Sequence, residues 1–355
     1  MTTRTTRTTT TASVRARGPG RVNLIGEHTD YNGGLALPFA IDRGVTVTAE
    51  PRDDDRVTAE ARDVGEHDQF PLAAPGGDAP STSGWRAFVR GTVAELTAAG
   101  HALVPTALTI EGDVPQGSGL SSSAALSTAL SLALLGAAQQ PEPDRVELAK
   151  LCSRVENDWV GAETGLLDQL ASLLGAEGEA LRIDFATLAV ERVPLDLRGW
   201  QLVTVDSGAT HEHAAGGYNE RRSECEAAAR ELGVEHLSAA TPAAVERLSD
   251  PLRRRARHVL TENGRVDATI AALRAGDLEE VGRLLTASHA SLRDDYEASV
   301  PEVEATVDRL IQAGAAGARM MGGGFGGAVL ALLPVGRPRP DAAVVVAPGP
   351  AARLL

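Results

Sequence analysis

The sequence predicts an α+β protein whose two halves meet near residues 195–210. Three observations carry that reading. Strand-type segments alternate with long helical patterns through the first half. Helical patterns then occupy most of residues 218–314. Short apolar strands near 318–321, 328–333 and 342–347 close the chain.

Taken in order, residues 1–17 are Thr/Arg-rich with no apolar run, which predicts a disordered tail and not a secretory signal. Residues 35–49 predict two strands around Asp42-Arg43-Gly44, with alternation at Val45, Val47 and Ala49. Residues 53–83 are polar and rich in Gly and Pro, so loops are expected, with a weak strand at 56–59. A helix over 85–99 and a strand over 106–111 come next. Residues 121–138 form a helical pattern apolar almost all round, as a buried helix requires. Helices over 143–160 and 165–175 and strands over 180–185 and 201–205 complete the first half. Later helices are expected over about 218–232, 241–249, 251–274, 277–291 and 300–314. The last of them starts from Ser299-Val300-Pro301-Glu302, a capping box with proline in the first turn.

Composition removes several function classes. A formal net charge of −14 leaves no broad basic surface for nucleic acid or an anionic membrane. The apolar stretch 124–138 is interrupted by Ser127, Thr128 and Ser131 and falls short of the roughly 20 residues of a membrane span. Cys152 and Cys225 are isolated, which fits reduced thiols in the cytoplasm and neither a disulfide framework nor a zinc site. Lys150 is the only lysine, so a Walker A loop and the strand lysine of protein kinases are both excluded. Phosphate chemistry here must use backbone amides, arginines and a metal.

Three glycine-framed segments concentrate polar chemistry. Gly20-Arg21-Val22-Asn23-Leu24-Ile25-Gly26-Glu27-His28-Thr29-Asp30-Tyr31-Asn32 sets carboxylates, a histidine and a hydroxyl in one loop. Taken alone the Glu27-His28-Thr29-Asp30 tetrad reads as an acidic surface turn, but with Gly26, Gly33 and Gly34 fixing the loop on both sides it suits a polyhydroxylated ligand. Gly117-Ser118-Gly119-Leu120-Ser121-Ser122-Ser123 precedes the apolar helix. It reads as a phosphate cradle at a helix N-terminus or as a glycine turn with a serine cap. Gly322-Gly323-Gly324-Phe325-Gly326-Gly327 lies between two strands, as a tight hairpin or a ligand-facing loop. On the residues alone, Asp168 reads as a helix-capping carboxylate and Glu156 as a surface charge on a helix. His211-Glu212-His213 has no third metal ligand at useful spacing.

In this order, the three segments resemble the galactokinase family of the GHMP small-molecule kinases, with further similarity over 85–91, 156–175 and 206–222. The resemblance implies a ribosomal-S5-like N-terminal domain over 18–200 and a ferredoxin-like C-terminal domain over 201–355, with ligands between them. It implies ATP-dependent phosphorylation of D-galactose at the C1 hydroxyl, giving galactose 1-phosphate and ADP, by a monomeric enzyme. Glu27, His28, Thr29, Asp30 and Tyr218 would hold the sugar. Gly117, Ser118, Gly119, Leu120, Ser121, Ser122 and Ser123 would wrap the ATP phosphates, with Trp85 near the adenine. Ser123 and Glu156 would hold Mg²⁺, Asp168 would be the catalytic carboxylate and Arg21 its partner. A non-catalytic galactose/ATP sensor and a kinase of a related sugar such as N-acetylgalactosamine are the competing readings. The chain departs from the family at Gly18, where alanine is usual, and in lacking an apolar helix before the signature. Pro334 to Pro340 replaces a helix, and one sheet face of the second domain is therefore expected to lie uncovered, with lowered stability or a neighbour covering it.

Overall fold

Alternating small and β-branched residues build the first sheet, and its strands carry the site. The computed structural model describes residues 13–76, 83–114, 119–162, 164–209 and 214–355. In chain order the elements are β1 (Val14–Asn23), β2 (Leu35–Ala36), β3 (Pro38–Pro51), β4 (Arg56–Ala61), β5 (Glu66–Pro71), α1 (Trp85–Ala98), β6 (Thr106–Gly112) and α2 (Ser122–Ala137). There follow α3 (Arg145–Arg154), α4 (Leu167–Leu174), β7 (Glu179–Asp184), β8 (Ala189–Pro194), β9 (Trp200–Asp206) and α5 (Ala214–Leu232). The chain ends with α6 (Pro242–Val245), α7 (Leu252–Ala275), α8 (Leu278–Asp294), α9 (Pro301–Gln312), β10 (Gly317–Met320), β11 (Ala328–Pro334), β12 (Val344–Val346) and β13 (Arg353–Leu354). The sheets run β13-β1-β3-β6-β4-β5, β10-β11-β9-β12 and β2-β7-β8. Among the described residues no helix is long and apolar enough to cross a membrane.

Helix α2 packs on β1 and β3 with Ala125, Ala129, Leu132 and Ala133 in the first core. It lies so close that a Cβ on Gly18 would fall 2.1 Å from the Ala125 carbonyl oxygen. Glycine at this departure from the family pattern thus fits the close crossing, which brings the start of α2 beside Arg21. A second core joins the two halves: Val22, Leu24, Ile25 and Phe39 pack with Leu202, Leu330, Leu332 and Leu285. The signature loop therefore grows from buried, two-sided support.

Several expectations are corrected. Val14–Arg17 belong to β1 and not to a tail, because Ala16 is buried and Arg17 pairs with Asp113 at 2.7 Å. The expected break at Asp42–Gly44 is a bulge within one long strand, where the register jumps from Pro19↔Gly44 to Arg21↔Ala40. Residues 56–71 form a hairpin, not loops, burying Val57, Ala59, Ala61 and Phe70. β8 was not expected at all. The helix of 143–160 ends at Arg154 and widens into a π-helical turn over Val155–Val160. Val300, not Ser299, caps α9, and the Ser299 hydroxyl instead hydrogen-bonds Glu304. The end of the chain, assigned to the C-terminal domain of 201–355, crosses back to pair with β1 as β13.

The sheet face expected to be bare is covered. Leu202, Leu330 and Leu332 enter the core shared with the first half, while Val203, Ala331 and Leu333 pack with α9 and α5 residues. β12 is only three residues long, and Val335, 63% exposed, and Val345, 39% exposed, are the large apolar side chains left open where the helix is missing.

Candidate active site

The signature loop is stitched internally, and three of its polar side chains line a cleft. Thr29 Oγ1 donates to the carbonyls of Gly26 (3.0 Å) and Leu35 (2.8 Å), and Asn32 Nδ2 donates to His28 O at 2.7 Å. Thr29, expected among the sugar ligands, is thus wholly buried and spent on the backbone. Glu27, His28 and Asp30 line the cleft instead. His28 sits at φ 60°, a left-handed conformation that a non-glycine residue keeps only when its surroundings enforce it.

That enforcement comes from α7, more than 200 residues away. Glu262 Oε1 accepts from Gly26 N at 3.0 Å, and Leu35 N donates to Asn263 Oδ1 at 2.8 Å. His258 Nε2 lies 3.1 Å from Glu27 O. The one-turn spacing of His258 and Glu262 puts both on one helix face, against the loop. Burial works against the Glu262 charge, but Arg265, His258 and Arg319 outweigh it and lower its pKa. From β10, Arg319 reaches Glu27 Oε1 at 3.0 Å, and Gly322 N donates to the same oxygen at 2.9 Å. None of His258, Glu262, Asn263 or Arg319 was anticipated; the one available signal was a charge at 319 between apolar strand neighbours.

The cleft, of about 100 Å³, gathers the signature loop, the glycine loop at Gly322-Gly323, the segment before α4, and Tyr218 from α5. At its base Asp168 and Arg21 form a bidentate pair, Nε–Oδ1 2.5 Å and Nη2–Oδ2 2.6 Å. Burial opposes the Arg21 charge, yet Asp168, with Glu27 and Glu156 behind it, raises its pKa. Ser121 Oγ donates to Asp168 Oδ2 at 2.6 Å, and Arg21 Nη1 donates to Gly119 O at 2.6 Å. Ser121 is itself left-handed, φ 56°, at the N-cap of α2. The serine loop, Arg21 and Asp168 are therefore one connected unit.

Burial pushes the His28 imidazole down to about 3, helped by the positive fields of His258, Arg319 and Arg221, so the ring is neutral. Burial pushes the Asp30 carboxyl up to about 7, with Asp168 and Glu27 adding like-charge repulsion. Gly165 backs Asp30 closely: a Cβ there would fall 1.9 Å from its Oδ2. Tyr218 stacks 5.5 Å from the His28 ring.

On the other side of Asp168, the π turn presents Glu156, 6% exposed. Its Oε2 accepts from Gln169 Nε2 at 2.6 Å and Thr164 Oγ1 at 3.2 Å, and Ser123 is near enough to favour its charge. Burial and then Asp168 raise its pKa against those bonds. Ser122 and Ser123 also form the inner end of a second, more apolar cleft of about 260 Å³, walled by Val45, Trp85, Phe88, Ile110 and Leu126. Trp85 Nε1 is tied to Glu66 Oε2 at 2.8 Å. Leu120 is buried, with its carbonyl accepting from Arg21 N. Gly117 and Ser118 lie outside the described residues, as does His211-Glu212-His213. Among the described residues no three His, Cys, Asp or Glu side chains stand together as a self-sufficient metal site.

Fold and clefts define a GHMP-type small-molecule kinase, and comparison with known proteins agrees. Family models for the GHMP kinases N terminal domain and GHMP kinases C terminal match residues 87–176 and 269–347, and the galactokinase galactose-binding signature matches residues 6–51. The chain is 47% identical to galactokinase of Mycobacterium bovis, over 90% of this chain and 89% of that one. It is 42% identical to galactokinase of Streptomyces coelicolor, over 89% and 83%. The crystal structure of Lactococcus lactis galactokinase complexed with galactose superposes with a TM-score of 0.89 at 33% identity, covering 98% of this chain and 96% of that one. The chain belongs to the galactokinase family.

The perturbed Asp30 gives a signed pH prediction. An unfolded chain ionises this carboxyl near 3.8, whereas the folded protein holds its proton up to about pH 7. Between those values the folded state binds more protons, so stability falls as pH rises through the window and stays reduced above it. Asp30→Asn removes that penalty. Its melting temperature should exceed the parent's at pH 8, with the gap closing toward pH 4, while the KM for galactose rises. Parallel thermal melts at the two pH values, with a galactose titration, check both halves; an unchanged KM removes Asp30 from the sugar loop.

Proposed function

We propose that this kinase transfers the γ-phosphoryl group of ATP to the C1 hydroxyl of D-galactose. The observation that carries the reading is the Asp168–Arg21 pair at the base of a cleft walled by Glu27, His28 and Asp30, with the serine loop bonded to the same carboxylate. Glu27, Asp30 and Tyr218 offer oxygens to sugar hydroxyls, and neutral His28 offers one ring nitrogen. The apolar cleft beyond Ser123 suits a purine base, with Gly117 to Ser123 left to the phosphates.

Phosphoryl transfer depends on in-line positioning and charge stabilisation more than on covalent help. The O1–P bond forms as the bond from Pγ to the β-phosphate oxygen breaks, releasing ADP. The O1 proton passes to Asp168. Both acceptor positions of Oδ2 are filled, by Arg21 Nη2 and Ser121 Oγ, whereas Oδ1 meets only Arg21 Nε. Oδ1 is therefore the oxygen we assign as proton acceptor. Arg21 sets its guanidinium charge beside the reacting oxygens.

Ser123 and Glu156 fit a magnesium ion: they are neighbouring hard oxygen donors, and too few to enclose a cation without phosphate oxygens and water. The ion would neutralise phosphate charge. The sole lysine, Lys150, pairs on the surface with Glu147 and takes no part. A monomer acting on free sugar in the cytoplasm fits a site built from one chain and two buried free thiols.

A coupled ADP-release assay across galactose, N-acetylgalactosamine and glucose, with mass detection of the sugar phosphate, tests the proposal. ADP and a galactose monophosphate should appear together. Tight galactose binding without ADP would establish the sensor reading, and preference for the N-acetyl sugar would replace galactose as substrate.

A further inference from the structure

All three tyrosines of the chain, Tyr31, Tyr218 and Tyr296, meet around the His28 ring. Two of them are wired to it. Tyr31 Oη lies 2.7 Å from His28 Nδ1 and 2.7 Å from Tyr296 Oη, and Tyr296 Oη lies 3.1 Å from Cys225 Sγ. The members come from the signature loop, the turn just after α8 and the middle of α5. Tyr296 is fully buried and Cys225 nearly so, and neither lines the sugar cleft. Burial pushes the Tyr31 and Tyr296 hydroxyls well up and the thiol to about 11, so each group carries its proton.

A row of groups with one proton each must point its hydrogen bonds coherently, all toward the ring or all away from it. His28 decides which. Its Nε2 is buried and makes no hydrogen bond among the described residues, so that nitrogen is the one left for a ligand, and a neutral ring can offer its single proton there. With the proton on Nε2, Nδ1 must accept. Tyr31 then donates to Nδ1, Tyr296 to Tyr31, and the Cys225 thiol to Tyr296.

We propose that Cys225, Tyr296 and Tyr31 form a positioning relay that locks His28 as its Nε2–H tautomer, so that it meets the sugar only as a donor. The relay rests on the reading of His28 as a galactose ligand and adds what that ligand can select. An acceptor oxygen is taken at that position, and a group that can only donate is refused.

Tyr31→Phe and Tyr296→Phe keep the ring packing and remove one hydroxyl each. ¹⁵N-histidine NMR of the full-length protein, with the His28 resonances identified by their loss in His28→Gln, reads the tautomer directly. The parent should show Nδ1 unprotonated and Nε2 protonated. Tyr31→Phe should move His28 to a tautomer mixture and raise the galactose KM by about 2- to 10-fold, the loss of one neutral hydrogen bond, with kcat changed much less. Tyr296→Phe should shift both in the same direction by less, and Cys225→Ser, which preserves a donor, should leave both in place. An Nδ1–H tautomer in the parent, or Phe variants that lower only the melting temperature, overturns the relay. If His28→Gln raises KM but the Phe variants do not, the relay fails while the sugar-binding role stands. If His28→Gln itself leaves KM unchanged, the underlying reading of the site is lost as well.

Discussion

Asp168→Asn should lower kcat by about 10²- to 10⁴-fold, the range for removing a positioned general base, while galactose affinity changes only a few-fold. Asparagine matches aspartate in shape, so the α4 start and the Thr164–Gly165 wall should stay in place. What changes is the acceptor at Oδ1 and the charge facing Arg21. Because Glu27, His28 and Asp30, the residues proposed to meet the sugar's other hydroxyls, stay in the cleft wall, binding and turnover should separate in this variant. Calorimetric titration of galactose beside steady-state ADP release provides the check. Near-normal kcat would remove Asp168 from the mechanism. A large loss of galactose affinity with kcat retained would make it a binding residue only.

Parts of this arrangement are legible in the sequence for a physical reason: each loop is local. Glu27, His28 and Asp30 come within four residues, and Gly119 to Ser123 run directly into an apolar helix, so type and order suffice. Asp168 and Glu156 are different. Nothing in a short helix or a π turn distinguishes a carboxylate aimed at a cleft from a solvated one, and only the family resemblance singles them out. The α7 clamp is not legible at all. His258 and Glu262 sit in a helix opening with Arg253-Arg254-Arg255, where a sequence pattern reads an exposed polar stripe, yet both are wholly buried against the signature loop. β1 is hidden for a related reason: glycines and arginines fill a strand whose inner face needs small residues beneath α2.

The largest stability effect should come from outside the catalytic pair, at Arg319. This side chain is completely buried; Nη1 donates to the carbonyls of Asn23 (2.9 Å) and Leu24 (3.2 Å), and Nη2 faces Glu27 Oε1. Arg319→Met keeps an unbranched apolar stem but leaves a buried carboxylate with Gly322 N as its remaining close donor and strands two carbonyls. Breaking a buried pair from one side costs about 3–5 kcal/mol, a large share of a typical domain's 5–15 kcal/mol. The denaturation midpoint should fall accordingly, and the galactose KM should rise as Glu27 loses its anchor. The double variant Arg319→Met/Glu27→Gln separates the two consequences. Neutralising the orphaned carboxylate should recover part of the lost stability, because the cost lies in an unpaired buried charge. Galactose affinity should not recover, because the ionised oxygen facing the cleft is gone. Full stability and an unchanged KM in Arg319→Met alone would show that the signature loop holds its shape without β10. The coupling drawn between the two halves of the chain would then not be what orients the sugar site.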